Sequence, residues 1–268
     1  MAPRQSHQDR VRERFTRTAE AFASFSLGTR SEEATRLLEL AWPHLPSRPV
    51  AALDVACGPG TFTRVLAQQA ARVCGLDVTP ALLAHARAAC QQQGLGNVAL
   101  VCGDATALPF AEASFPLAIC GYSLHHMPDP RAALQQMARV VGPDGVVAIV
   151  DIVVPAGADP ELNNRIERTR DASHARTLTT AELLGLFAWA DLEVLATEPS
   201  QISRSFDEWM RVAGWQPDDA AYRKTRRLME ADLEENSSGF RPRLTGEVDE
   251  EELVFTQTSL FVVSRRRL

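Results

Sequence analysis

Three aspartates follow apolar runs of the sequence, each at the point where a turn begins. Asp54 stands in "LDVACGPG", Asp77 in "GLDVTPALL" and Asp104 in "CGDATALPF". One such aspartate commonly caps a loop or meets solvent, but three at corresponding positions indicate a shared ligand. Carboxylates can attract an ammonium group, accept hydrogen bonds from both hydroxyls of a ribose, or accept one from the amino group of an adenine-like ring. The set predicts a ligand with those groups and no phosphate.

Two glycines, Gly58 and Gly60, follow the first of these aspartates. Glycine lets a chain turn sharply after a strand and lets a ligand approach the backbone closely. A dinucleotide is the usual ligand of such a turn, but its fingerprint needs a third glycine where Thr63 stands. Asp54 would also repel a pyrophosphate. The turn therefore favours a cationic ligand and disfavours a nicotinamide-dependent oxidoreductase.

Three histidines are candidate general bases, because imidazole accepts protons near neutral pH. His125 and His126 lie in "SLHHMPDP", and His174 lies in "RDASHART". The pair could instead hold a loop by hydrogen bonds, and the second stretch could be a loop of ion pairs. No metal is expected at these histidines, because no carboxylate or thiolate cluster accompanies them.

The elements that must position these groups alternate along the chain. Apolar runs that suit strands covered on both faces alternate with helical patterns, which implies a parallel sheet with right-handed crossovers. The predicted strands cover residues 50–57, 72–78, 98–104, 116–122, 145–154, 191–200 and 253–265.

Helical patterns also precede and follow this alternation. One helix is predicted over 7–25, with three phenylalanines that could close over a site or simply pack, and Ser31 is predicted to cap the next helix. Thr79 and Pro80 predict the start of a helix after Asp77. The aromatic residues between the last two strands predict a cap or a dimer surface, followed by a polar loop over 236–252.

Composition limits the function classes. The 268 residues carry a net charge of −6, which disfavours nucleic-acid binding, and the basic "SRRRL" ending is interpreted as a solvated tail. The five cysteines form no CxxC pair, which suits a reducing compartment. The sequence shows no signal-peptide core and no apolar stretch long enough to cross a bilayer, so a cytoplasmic protein without membrane insertion is predicted.

Five segments, in order, resemble the class I S-adenosylmethionine-dependent methyltransferases. They are the three aspartate motifs quoted above, then "ASFPLAICGYSLHHMPDP" and "ARVVGPDGVVAIVDIV". The resemblance covers roughly residues 50–155 and is greatest to the ubiquinone/menaquinone C-methyltransferases and their bacterial relatives. It implies an α/β fold: a Rossmann-like, doubly wound, seven-stranded sheet, mostly parallel with an antiparallel last strand, plus a helical lid or cap.

The resemblance also implies S-adenosylmethionine as cofactor and assigns residues to it. Asp77 would hold the ribose, and Gly121 would lie against the cofactor. The methionine moiety would meet Asp54, Ala56, Gly58 and Gly60; the adenine would meet Asp104 and Ala105; Cys57, Val78 and Leu82 would complete the site. Two positions depart from the family pattern: Ala56 replaces a glycine, and Pro116 replaces an aspartate.

The expected organisation is an N-terminal helical lid over 1–45 and a methyltransferase domain over 46–268, with cap elements at about 156–190 and 203–250. The expected function is methyl transfer to a small apolar, aromatic, quinone-like or polyketide-like acceptor, with a homodimer left open. The alternative is a cofactor-binding protein of the same fold that catalyses a non-methylating reaction, such as a cyclisation, or acts in regulation. The signature of DNA-amino methylation is absent, since "CGYS" stands in its place.

Overall fold

The computed structural model describes residues 5–246 and 251–267. Residues 247–250 of the predicted cap and polar loop, the first four residues of the predicted lid and the final leucine of the basic tail lie outside the described residues. No helix within the described ranges is long and apolar enough to cross a membrane.

Nine strands form one sheet. Their bounds are β1 Ala51–Val55, β2 Arg72–Asp77, β3 Val98–Cys102, β4 Phe115–Gly121, β5 Val141–Val154, β6 Leu178–Thr179, β7 Leu192–Ser205, β8 Arg243–Thr245 and β9 Glu252–Arg266. Seven of them follow the order β3-β2-β1-β4-β5-β9-β7, with β6 beside β5 and β8 beside β9. Strands β1 to β5 pair in parallel, whereas β9 runs antiparallel to both β5 and β7. The predicted α/β sheet with an antiparallel last strand is confirmed.

Ten α-helices surround or extend this sheet. They are α1 His7–Arg17, α2 Ala19–Thr29, α3 Ser31–Ala41, α4 Thr61–Ala67, α5 Pro80–Gln92, α6 Pro130–Val140, α7 Pro160–Arg170, α8 Thr180–Trp189, α9 Phe206–Val212 and α10 Ala220–Glu230. Short 3₁₀ helices cover Trp42–His44 and Leu124–His126. Apolar side chains of α6 and α8 pack on one face of the sheet, and those of α3 and α4 pack on the other. Helices on both faces bury the central parallel strands, whereas β3 at the edge of the sheet is partly exposed.

The aromatic residues of the cap form a separate small core. Trp209, Met210 and Tyr222 are buried there together with Ile166 of α7 and Phe255 of β9. Packing within the chain therefore accounts for this aromatic pattern. The boundary between lid and core stays a prediction, although buried leucines of α3 lie in the sheet core.

Two predictions about the N-terminal helices were wrong. The predicted helix over 7–25 is two helices, because Thr18 leaves the helical conformation and its hydroxyl donates to the carbonyl of Arg14 (3.1 Å). Ser31 lies inside α3 and donates to the carbonyl of Leu27 (3.3 Å), so it is not a cap. Helix α1 instead begins at a capping box between Ser6 and Asp9.

The C-terminal strands also differ from the prediction. Strand β7 continues past Pro199 to Ser205, which is tolerated because β7 is at the edge of the sheet. The polar stretch predicted as a loop contains the short strand β8, and the two-residue strand β6 was not predicted.

Candidate functional site

A cleft lies at the carboxyl ends of β1, β2 and β4, where the strand order reverses. This is where ligands bind in open α/β sheets. Its volume of about 410 Å³ suits a small molecule. We call it the main cleft. Its lining includes the predicted cofactor residues Asp54, Ala56, Cys57, Gly58, Asp77, Val78, Leu82, Asp104, Ala105 and Gly121.

Asp77 organises the turn after β1. Its carboxylate accepts from the backbone N–H of Gly58 and of Thr79, each at 2.8 Å. Each carboxylate oxygen retains capacity for another donor. Burial raises the pKa of Asp77, and these hydrogen bonds oppose that rise. The carboxylate is therefore fixed in place at the cleft with acceptor capacity to spare.

The turn itself uses left-handed backbone at three positions. Gly58 has φ +53° and Gly60 has φ +84°. A Cβ on Gly60 would lie 2.9 Å from the Cβ of Ala86 in α5, so a larger residue would push that helix away. Gly60 itself does not line the main cleft. Ala56 has φ 56°, a conformation that glycine adopts without strain.

Asp54 lies below this turn and is nearly inaccessible to solvent, at 1% exposure. Its carboxylate accepts from the hydroxyl of Thr63 at 2.6 Å. Burial raises the pKa of Asp54 to about 7, although the hydrogen bond from Thr63 acts in the other direction. A carboxylate held this way gains from a cationic ligand, because the ligand would supply the missing countercharge.

Helix α1 reaches across the cleft to the third aspartate. Gln8 of α1 donates to Asp104 Oδ2 at 2.8 Å, while Thr106 donates from its backbone and its hydroxyl to Oδ1, each at 2.8 Å. His7 of the same helix donates to the carbonyl of His126 at 2.9 Å. The first helix therefore covers the main cleft.

A second, smaller cavity of about 50 Å³ adjoins the main cleft. We call it the inner cavity. Five residues line both spaces, so the two are adjacent: Phe15, Phe22, Arg30, Tyr122 and His126. Phe25 and Trp209 add aromatic surface to the inner cavity. The predicted histidines His125 and His174 also line it.

The three histidines lie together but differ in their bonds. Ring centroids of His125 and His126 are 4.3 Å apart, and those of His125 and His174 are 5.8 Å apart. His125 Nδ1 lies 2.5 Å from Asp151 Oδ1, and its Nε2 makes no hydrogen bond to any residue of the described ranges. A buried carboxylate that accepts from Nδ1 leaves Nε2 as the proton acceptor.

The other two histidines are weaker bases than an ordinary imidazole. Burial lowers the pKa of His174 to about 2 and holds the pKa of His126 well below its usual range. His174 Nε2 lies 2.9 Å from Asn164 Oδ1, which fixes the ring. His126 Nδ1 lies 3.1 Å from the carbonyl of Ser173. Their surroundings favour the neutral form and a role in holding the loops.

Ion pairs tie the wall of the inner cavity together. Arg14 of α1 lies 2.8 Å from Asp171, and the two side chains are 7% and 1% exposed. Burial alone would raise the pKa of Asp171, but the guanidinium of Arg14 holds it below its usual range. Arg170 lies 3.4 Å from Glu167, whereas Arg176 pairs with Glu182 on an exposed surface. The predicted loop of ion pairs thus joins α1 to the end of α7.

Four residues of the site were not predicted from the sequence. Asp151 is the one carboxylate in the buried apolar run 145–154 of β5, and that contrast was a usable signal. Tyr122 donates to Glu33 of α3, and the Arg30 guanidinium lies 4.1 Å from the centre of the Tyr122 ring. Arg204 ends a strand of alternating exposure, and no local pattern distinguishes it from a surface arginine.

Residues 53–149 match the model of a family described as a methyltransferase domain. An uncharacterized methyltransferase, YcgJ of Bacillus subtilis, is 28% identical over 75% of this chain and 78% of its own length. The uncharacterized protein YafE of Escherichia coli is 30% identical over 54% of this chain and 70% of its own length. The demethylmenaquinone methyltransferase of Oceanobacillus iheyensis is 36% identical over 39% of this chain and 45% of its own length.

The fold is also found in a relative whose structure has been solved. The crystal structure of YcgJ superposes with a TM-score of 0.76 at 24% identity, covering 87% of this chain and 99% of the other. At that identity the likeness concerns the fold. The α/β fold is therefore shared with that protein.

Proposed function

Because the chain belongs to the class I S-adenosylmethionine-dependent methyltransferases, we propose that it moves a methyl group from S-adenosylmethionine in the main cleft to a small acceptor in the inner cavity. The observation that carries this proposal is that the two spaces lie side by side at the strand-order reversal and share lining residues. In-line displacement requires that the methyl donor and the acceptor meet in one line, and adjacent sites for donor and acceptor favour that.

The residues of the main cleft fit the cofactor group by group. Asp54 would meet the ammonium, Asp77 the ribose hydroxyls, and Asp104 the amino group of adenine beside Gln8. The turn at Gly58 leaves room for close approach of the methionine moiety. Arg30, on the boundary between the cavities, would pair with the carboxylate of the cofactor. When bound, S-adenosylmethionine supplies the electrophilic methyl group, so the protein mainly binds and aligns.

His125 is the proposed general base where the acceptor must lose a proton. Asp151 would hold the Nδ1 proton, and His125 Nε2 would accept the proton of a hydroxyl or amine. His126 and His174 would hold the surrounding loops rather than accept that proton. Phe22, Phe25 and Trp209 give the inner cavity aromatic walls, but its volume of about 50 Å³ admits only a small group, so the body of an aromatic or polyketide-like acceptor would extend towards the main cleft.

Two measurements test the proposal. Calorimetric titration with S-adenosylhomocysteine should give one saturable site per chain. Label from methyl-labelled S-adenosylmethionine should then appear in at least one compound of a panel of quinols, phenols and polyketide-like hydroxyl compounds. Failure of S-adenosylhomocysteine to bind would overturn the cofactor assignment. Tight binding with no label transfer to any acceptor would favour the non-methylating alternative.

A further inference from the structure

Two arginine side chains, Arg204 and Arg30, lie at the inner cavity. Arg204, at the end of β7, is 7% exposed, and its buried Nε has no hydrogen-bond partner. Arg30, between α2 and α3, likewise has a buried Nε without a partner. Neither side chain forms an ion pair within 4.0 Å in the described part of the chain. Both line the inner cavity.

The neighbouring carboxylates are committed elsewhere or lie at the rim. Asp171 and Glu167 pair with Arg14 and Arg170. Asp151 is bonded to His125. Glu33 accepts from Tyr122 through Oε1, and its buried Oε2, which has no hydrogen-bond partner in the described residues, leaves a charge that stabilises Arg30. Glu208 lines the cavity but is an exposed residue.

Both cations lie against aromatic rings. The Arg204 guanidinium lies 5.1 Å from the centre of the Phe25 ring, and that of Arg30 lies 5.5 Å from the same centre. Burial lowers the pKa of Arg30; its interactions with Tyr122 and Glu33 oppose that fall, and the charge of Arg204 adds to it. A buried charge is costly unless a counterion joins it. Arg204 therefore lacks a countercharge, which an anionic ligand would supply.

The cofactor supplies one anionic group, its carboxylate. This carboxylate can reach one of the two arginines, Arg30. Arg30 lines both spaces, so the carboxylate of the cofactor can pair with it from the main cleft. Arg204 lines only the inner cavity, whereas the proposed site of the cofactor is the main cleft. Its partner must then come from the other ligand.

We propose that the methyl acceptor carries a carboxylate, and that Arg204 binds this group and so selects an anionic acceptor. The inference rests on the proposed function. A guanidinium matches a carboxylate with two parallel N–H groups, which fixes orientation as well as charge. The inner cavity has room only for a small group, so it would take the carboxylate end of the acceptor, and the apolar body and the reacting atom would lie towards His125 and the main cleft. Arg204 is a specificity-determining residue in this arrangement.

The test uses full-length protein saturated with S-adenosylhomocysteine. Acetate and benzoate are titrated at constant ionic strength, each against its neutral amide of nearly the same shape. Wild-type protein should bind the carboxylates at least about tenfold more tightly than the amides, as expected for a charge-assisted hydrogen bond. Arg204→Met should abolish the preference, and Arg204→Lys should retain part of it. Arg211→Met is the matched control, since Arg211 is exposed on α9 and lines neither cavity.

The outcomes separate this inference from the proposed function. Absence of S-adenosylhomocysteine binding would refute the proposed function and this inference with it. Normal binding of S-adenosylhomocysteine, with acetate and benzoate no better than their amides, would overturn the anionic acceptor alone. The wild-type comparison decides this even if a variant unfolds. The melting temperature of Arg204→Met without ligand should equal or exceed that of the wild type, whereas a purely structural arginine would lower it.

Discussion

Replacing Asp54 by asparagine should remove a pH dependence from both stability and cofactor binding. The pKa of the buried carboxyl is raised from 3.8 to about 7, chiefly by burial. Between those two pH values the folded protein holds a proton that the unfolded chain has lost. The contribution of Asp54 to stability is therefore fully present below pH 3.8 and is lost as the pH rises to about 7.

The size of the effect follows from the rise in pKa. A rise from 3.8 to about 7 corresponds to about 4 kcal/mol of lost stability above pH 7. Between pH 5 and pH 8 the wild type should lose about 2–3 kcal/mol relative to Asp54→Asn, which has no charge to bury. An ammonium group bound beside Asp54 would restore the missing countercharge. The affinity for S-adenosylhomocysteine should therefore fall about fivefold from pH 7 to pH 6 in the wild type, and remain flat in the variant.

Urea unfolding of both proteins at pH 5 and pH 8 measures the first effect, and calorimetric titration over the same range measures the second. Asp144→Asn serves as the control, because Asp144 is exposed and lies outside both cavities. Parallel stability curves for the wild type and Asp54→Asn would refute the reasoning about burial. If the affinity of the wild type for S-adenosylhomocysteine does not change with pH, the assignment of the ammonium group to Asp54 is refuted. The argument about stability would still hold.

Three further substitutions test other parts of the site. Gly58→Val forces a β-branched residue to φ +53° and should abolish S-adenosylhomocysteine binding with a native-like circular dichroism spectrum; unchanged affinity would contradict this. Asp77→Ala should weaken that binding by about 1–3 kcal/mol and lower the free energy of unfolding, since two backbone donors lose their acceptor; calorimetry and urea unfolding measure the two effects. Asp151→Asn should let the Nδ1 proton of His125 move to Nε2, so turnover of a hydroxyl acceptor falls about two to four orders of magnitude with cofactor affinity unchanged. Turnover within about tenfold of the wild type would exclude the base.

The parts of the fold with local signals could be predicted from the sequence. Each strand of the parallel sheet is an apolar run, and each aspartate of the main cleft lies within two residues of the end of one. The break at Thr18 could not be seen, because Thr18 interrupts a continuous helical pattern without a glycine or a proline. Strand β8 is exposed and polar, so its pairing with β9 leaves no trace in hydropathy.

The inner cavity is harder to predict because its parts come from distant segments. The ion pair between Arg14 and Asp171 joins residues more than 150 positions apart, and Arg30 meets Arg204 only when the sheet has formed. From the sequence alone an arginine is expected at the surface, because most arginines in folded proteins are exposed. Among the residues of the site that were not predicted, Asp151 alone carried a local signal, which is its charge within an apolar run.

Helix α1 covers both cavities, and this arrangement bears on the kinetics of turnover. His7 and Val11 line the main cleft, Arg14 lines the inner cavity, and Phe15 lines both. We expect that helix α1 must be displaced before either product leaves. This helix is held by the buried contact of Arg14 with Asp171. We expect the two products to leave through a shared slow step, visible as a burst of the first turnover before the steady state. Loosening that helix would shorten the residence of both products together.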